Sequence, residues 1–241
     1  MRTVIPRVRR KHKAAESRAH SLVRWPHLSF LLIGLGLTLH AAEPAAVTFS
    51  LDFPGSDPAH YSVAVRSDGH ASYKSNAKIS DDSTDTEDYQ TEFVVSDRNR
   101  ALIFELAARA HFFSGKVDSG NKKLAFAGAK KLTYSDGTKT TSADYNYSQQ
   151  PAVQQLTALF EGISATLEFG RRLAFDHRYQ KLALEEELSR MESEAKSGEL
   201  VELQAVQPIL QAIFDDTSVM NVTRARAQRI MEMVEKPSSA R

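Results

Sequence analysis

Residues 61–75 read "YSVAVRSDGHASYKS" and decide the fold class. Tyr61, Val63 and Val65 alternate with small or polar residues, the period of a strand with one buried face. Ala71 and Tyr73 continue the alternation beyond an Asp-Gly. A three-residue loop, Ser67-Asp68-Gly69, places Val65 opposite Ala71 and Val63 opposite Tyr73, so every apolar side chain shares one face. A two-residue loop would send Tyr73 to the other face. The longer loop is therefore expected, with Gly69 in the left-handed position of a bulge. His70 then sits beside the turn, on the polar face and in water. Nothing nearby in sequence supplies the orienting partner or nucleophile that a catalytic histidine needs.

Upstream, "AVTFSLDF" (46–53) reads as a strand with Val47, Phe49 and Leu51 on one side. "PGSDP" (54–58) is a turn. Downstream, "SDDSTDTED" (80–88) reads as an acidic loop, and Tyr89–Ser96 returns to strand character. Ser96 or Asp97 is a helix cap. "RNRALIFELAARAHFF" (98–113) is then a helix with an apolar stripe of Leu102, Ile103, Leu106, Ala107 and Ala110, ending at Gly115. His111 falls near its end, where the helix dipole favours a cation. A second hairpin turns at Asp136-Gly137. A two-residue loop there pairs Leu132 with Thr141 and Phe126 with Tyr147 and matches the apolar faces; Gly128 marks a bulge or a break.

From Pro151 onward the period changes to helical. Val153, Leu156, Phe160, Ile163 and Leu167 form one stripe, and Gly170 is expected to bend or end that helix. Arg171–Lys196 is a charged amphipathic segment in which Glu186 and Arg190 can pair. Ser197-Gly198 breaks the chain. Glu199–Phe214 reads as a helix interrupted by Pro208, and Asn221–Val234 as the last one, followed by "KPSSAR". Hairpins followed by helices make an α+β fold: a small antiparallel sheet packed on helices, with a C-terminal helical extension. The expected organisation is a leader at 1–42, an α+β domain at 43–167 and a helical extension at 168–241.

The leader explains the composition. The 241 residues carry 31 Lys and Arg against 30 Asp and Glu. Residues 1–42 hold eight of the bases and one acid, Glu16, which leaves residues 43–241 with 23 basic and 29 acidic side chains. An acidic body argues against nucleic acid as a partner, because that affinity rests on clustered cations. Basic residues up to Arg24, an apolar run from Leu28 to Leu39, then Ala41-Ala42 follow the order of a secretory signal. The run is about 12 residues, short of the roughly 20 that span a bilayer. His40 and Leu39 are poor residues for a cleavage site, so an uncleaved anchor is the rival, and membrane contact is expected only in that case. A translation start near Leu22 or Val23 would account for the long basic region. Arg9-Arg10 lies too far from the apolar run for a twin-arginine signal. The expected location is periplasmic or secreted. There is no cysteine, which excludes disulfides, thiol catalysis and thiolate metal sites.

Motifs for chemistry are sparse. Asp81, Asp82, Asp85, Glu87 and Asp88 lack the spacing and the glycine of a calcium loop. His60, His70, His111 and His177 are each isolated, with no paired-histidine zinc motif; His60 has Asp57 nearby, but in a loop. Ser164, in "GISAT", lacks the second glycine of a nucleophile elbow. "VDSGNKK" (117–123) reads as a turn, and no glycine-rich phosphate loop or other cofactor motif is present. Tyr61, Tyr73, Tyr134, Tyr145 and Tyr147 are the candidate ligand-binding residues, since strand-borne phenols can line a groove, although the same residues can equally be the core and rim of the sheet.

The run "HYSVAVRSDGHASY" (60–73), followed by a helix and a second strand pair ending in "SQQPAVQQLTALFEGI" (148–163), resembles an uncharacterised group of secreted bacterial proteins. The resemblance covers about residues 49–163. It implies an extracytoplasmic location and contributes no catalytic residue. The resulting expectation is an exported, non-catalytic binding protein of a bacterial envelope, whose partner is another envelope protein or a polymer held on the tyrosine-bearing sheet or along the helical arm. The alternatives are a secreted hydrolase using Asp81, Asp85 and Glu87, and a membrane-tethered structural protein.

Overall fold

The computed structural model describes residues 43–78 and 85–235. The leader, Asp81, Asp82 and the tail "KPSSAR" lie outside the described residues. Six antiparallel strands are ordered β4-β3-β2-β1-β5-β6: β1 (Ala46–Asp52), β2 (His60–Arg66), β3 (His70–Lys78), β4 (Thr86–Val94), β5 (Ala129–Ser135) and β6 (Thr140–Tyr145). Five helices follow or interrupt them: α1 (Asp97–Arg109), α2 (Pro151–Tyr179), α3 (Leu184–Ser197), α4 (Gln207–Asp215) and α5 (Asn221–Glu235). The fold is α+β, with α1 between β4 and β5 and the other four helices at the C-terminal end of the described residues.

The β2–β3 hairpin has the three-residue loop. Val65 faces Ala71 and Val63 faces Tyr73. Gly69 has φ +92°, and its amide donates to the Arg66 carbonyl at 3.0 Å. The inward face of the sheet carries Val47, Phe49, Val63, Tyr73 and Leu132, all fully buried. Helix α2 lies across it. Phe49 and Phe160 stack with centroids 5.5 Å apart and planes 4° apart. Each such side chain contributes about 1.5–3 kcal/mol by leaving water.

Several expectations are corrected. The acidic stretch is partly strand: β4 starts at Thr86, because Glu87 and Asp88 pair with Ala77 and Asn76 on β3. As an edge strand, β4 carries those charges in water. Helix α1 stops at its cap, Ala110, and does not run to Gly115. His111, Phe112 and Phe113 all have positive φ, and this turn buries Phe113 and sets the Phe112 ring 4.4 Å from that of Tyr134. The second hairpin has a four-residue loop, Asp136–Lys139, and pairs Leu132 with Ala143. Asp136 causes this: its Oδ1 accepts from the amides of Thr138 and Lys139, both at 3.0 Å, and from the Thr138 hydroxyl at 2.6 Å. The register moves by two residues, so the faces are unchanged. Leu124 and Phe126 precede β5 in irregular chain and are exposed.

Gly170 ends nothing. Helix α2 continues unbroken to Tyr179, so position 167/168 lies within it. A Cβ at Gly170 would meet Val206 Cγ1 at 2.5 Å, and one at Gly162 the Glu199 carbonyl at 2.6 Å. These glycines let the chain at 199–206 approach the helix. Pro208 belongs to the first turn of α4 and interrupts no helix. Arg190 pairs with Glu187.

Candidate functional site

The described surface has an open cleft of about 390 Å³ where α2 begins, within the size range of small-ligand pockets. Its walls come from three segments: the irregular chain at Leu124–Ala127, the end of β6 at Tyr145–Ser148, and the first turns of α2 from Val153 to Glu161. Irregular backbone needs its polar groups satisfied, and here Asn146 does much of this. Its Oδ1 accepts from the Ala127 amide at 2.8 Å, and its Nδ2 donates to the Ala125 carbonyl at 2.9 Å. Asp118 accepts the Asn146 amide at 2.9 Å and the Gly120 amide at 2.6 Å, which lowers its carboxyl below the usual range. Gly128, at φ +93°, joins this wall to β5; a Cβ there would meet Leu51 Cδ1 at 2.5 Å.

The other wall is anchored at the helix start. Ser148 Oγ donates to the Val117 carbonyl at 2.7 Å and accepts the Gln150 amide at 3.2 Å. Gln154 Nε2 donates to the Tyr147 hydroxyl at 2.8 Å and to the Ser148 carbonyl at 2.9 Å. Thr157 Oγ1 donates to Val153 O at 2.8 Å, so the Tyr145 hydroxyl, 2.5 Å away, is the donor to Thr157.

Two charged groups face this cleft. Lys130 lies on the inward face of β5, in phase with Leu132 and Tyr134, and is buried. Its Nζ donates to the Ala127 carbonyl at 2.6 Å and the Asn146 carbonyl at 3.4 Å. Burial lowers its ammonium, and the nearby Glu161 carboxylate partly restores it. Glu161 is at the rim, partly open to water, yet the protein on its other side desolvates it and raises its carboxyl, against the pull of Lys130. Burial also raises the Tyr145 phenol, with the Glu161 charge adding to the rise. The arrangement offers an apolar cavity, a hydrogen-bonding edge at Tyr147 and Gln154, and an ammonium and a carboxylate on separate elements. No histidine is among the residues that line the cleft.

Of the five sequence-predicted tyrosines, Tyr145 and Tyr147 line this cleft together. Tyr61 and Tyr73 are buried in the core, Tyr73 fully and bonded to Ser164 and Glu168 at 2.9 and 2.8 Å. Tyr134 is buried beside Phe112. Asp85 and Glu87 are exposed, beside and within edge strand β4, and Asp81 lies outside the described residues. Asp57 accepts the Lys78 amide at 3.0 Å. His60 and His70 are exposed. Ser164 is buried inside α2. His177 Nε2 lies 3.0 Å from Asp216 Oδ2, an oxygen that also takes Lys181 Nζ at 2.6 Å, while Ser218 donates to the other carboxylate oxygen. That cluster closes the turn between α4 and α5.

Sequence reasoning missed Lys130 and Glu161. Lys130 had a signal: it is a lysine at an inward position of an alternating strand. Glu161 had a weaker one, lying beside the apolar stripe of α2. Among the described residues no group of three or more His, Asp or Glu is placed to hold a metal ion, and no helix is long and apolar enough to cross a membrane. Comparison with known proteins finds no family model that matches the chain and no curated protein that matches it.

Proposed function

We propose that this chain is an exported binding protein that takes an apolar group of its partner into the cleft between Tyr147 and α2. The observation that carries this reading is the cleft itself: a preformed cavity lined by Leu124 and Tyr147, both exposed, with Phe126 exposed in the same segment of chain but outside the lining. Exposed apolar side chains gathered around a cavity mark interaction surfaces far better than scattered ones. Phe126 is held in place by an edge-on contact with Phe53 at 5.9 Å. Tyr147 and Gln154 would supply orientation through hydrogen bonds at the rim. Export rests on the leader and its order of basic, apolar and small residues.

The test is binding of Nile red, a neutral apolar dye, followed by its emission. Ala158 is exposed on the floor of the cleft, and Ala158→Trp fills it without changing charge. Binding that falls at least fivefold in Ala158→Trp supports the reading. Unchanged binding in that variant contradicts it.

A further inference from the structure

The cleft does not stop at Glu161. Ala158 and Glu161 also line a second trough of about 670 Å³, which runs on between α1, α2 and the chain after α3. Its floor is apolar: Leu102 and Leu106 from α1, Leu159 and Ala165 from α2. Its rim is acidic. Glu161 contributes from α2, Glu194 from α3 and Glu199 from the chain after it. No ion pair to any of the three is found among the described residues, whereas the nearby carboxylates of Glu187 and Glu192 are each paired with arginine. Glu194 is raised by burial and by the neighbouring Glu199 charge, with Arg172 and Arg190 acting against this. The α2 residues that line the two cavities run from Val153 to Ala165, about 18 Å of helix at 1.5 Å per residue. That length accommodates five or six residues of extended chain.

We infer that the partner is a polypeptide segment carrying lysine or arginine beside apolar side chains, and that it lies along α2 from Tyr147 to Glu199. The inference rests on the binding reading above and adds the chemistry of the partner. An apolar floor alone would accept a lipid chain or an aromatic molecule. The trough's lining holds three carboxylates and no basic side chain, which selects a cation and disfavours an anionic lipid or nucleic acid. The one cation in the cleft, Lys130, is buried with its ammonium directed to two backbone carbonyls, at the end of the site away from Glu194 and Glu199. Residues 43–241 carry an excess of acidic over basic side chains, which would draw a cationic segment toward the site.

The experiment uses the full chain, a fluorescent six-residue peptide of alternating leucine and lysine, and the matching leucine–glutamate peptide. Anisotropy gives each affinity for the wild type and for the double variant Glu194→Gln, Glu199→Gln, with Nile red run in parallel. The expected result is a loss of threefold or more in leucine–lysine affinity in the double variant. The leucine–glutamate peptide loses nothing there, and Nile red binding is unchanged, which also shows that the variant is folded. A loss smaller than threefold, with Nile red still sensitive to Ala158→Trp, overturns the inference and leaves the binding reading standing. If Nile red is insensitive to Ala158→Trp, the binding reading fails and takes the inference with it.

Discussion

The Tyr73 hydroxyl donates to Glu168 Oε1 at 2.8 Å and so ties the central hairpin to the middle of α2. Ser75 Oγ donates to the same oxygen at 2.6 Å, and Arg171 Nε to Oε2 at 2.8 Å. Glu168 is 2 % exposed, so these donors replace the water that its carboxylate has lost. Tyr73→Phe removes one of them and is expected to cost about 1–3 kcal/mol. Glu168→Ala is expected to cost more, about 3–5 kcal/mol, because it strands the Arg171 guanidinium, one nitrogen of which already lacks a partner. Urea unfolding checks both: the midpoint falls, and Glu168→Ala falls further.

Much of the sheet could be read from the chain, and the reason is local. In 61–75 the alternation is unbroken and a single loop length satisfies it, so pairing follows from pattern alone. The second hairpin shows the limit of that logic. Loops of two and four residues put the same side chains on the same faces, so alternation cannot choose between them. The Asp136 side chain chooses, by capping three donors within the loop. The end of α1 was hidden for a different reason. Nothing local favours positive φ at Phe112 and Phe113; the gain lies in burying Phe113 and packing the Phe112 ring against Tyr134, contacts distant in sequence. The cleft was half legible. Tyr145 and Tyr147 were candidates, but the wall of irregular chain opposite them is created by Asn146 and Lys130, whose partners only the fold brings near.

The glycines of α2 invert the usual propensity rule. At an exposed helical site Gly→Ala gains about 1 kcal/mol. Gly162→Ala is expected to destabilise instead, by about 1–3 kcal/mol, because its Cβ would press on a backbone carbonyl, that of Glu199. Gly170→Ala meets a side chain, that of Val206, rather than backbone, and should cost less. Thermal unfolding of the two variants gives the order directly, with Gly162→Ala the lower.

Helix α5 is held to α3 by a carboxylate that acid can neutralise. Glu192, buried, accepts from Arg226 at 2.5 Å, Arg229 at 2.9 Å and Lys196 at 2.7 Å, and these donors pull its carboxyl down to about 2. A carboxyl lowered in the folded state contributes its full stability above its unfolded value, near 4.5, and loses it as pH falls from there toward 2. Stability should therefore decline over that window. Glu192→Gln should be less stable at pH 7 by about 2 kcal/mol and should flatten the decline. Unfolding midpoints at pH 7, 4.5 and 3 for both proteins give the comparison.

Among the described residues a second exposed apolar patch competes with the cleft as a docking surface, the end of α2 with its loop, where Tyr179 and Leu182 are 63 % and 83 % exposed. An uncharged apolar diazirine, photolysed with the full chain and mapped by mass spectrometry, separates them. Labelling should concentrate in residues 124–130 and 145–161 and should fall sharply in Ala158→Trp. Labelling confined to 175–182, unchanged in Ala158→Trp, would contradict the assignment of the cleft as the binding site.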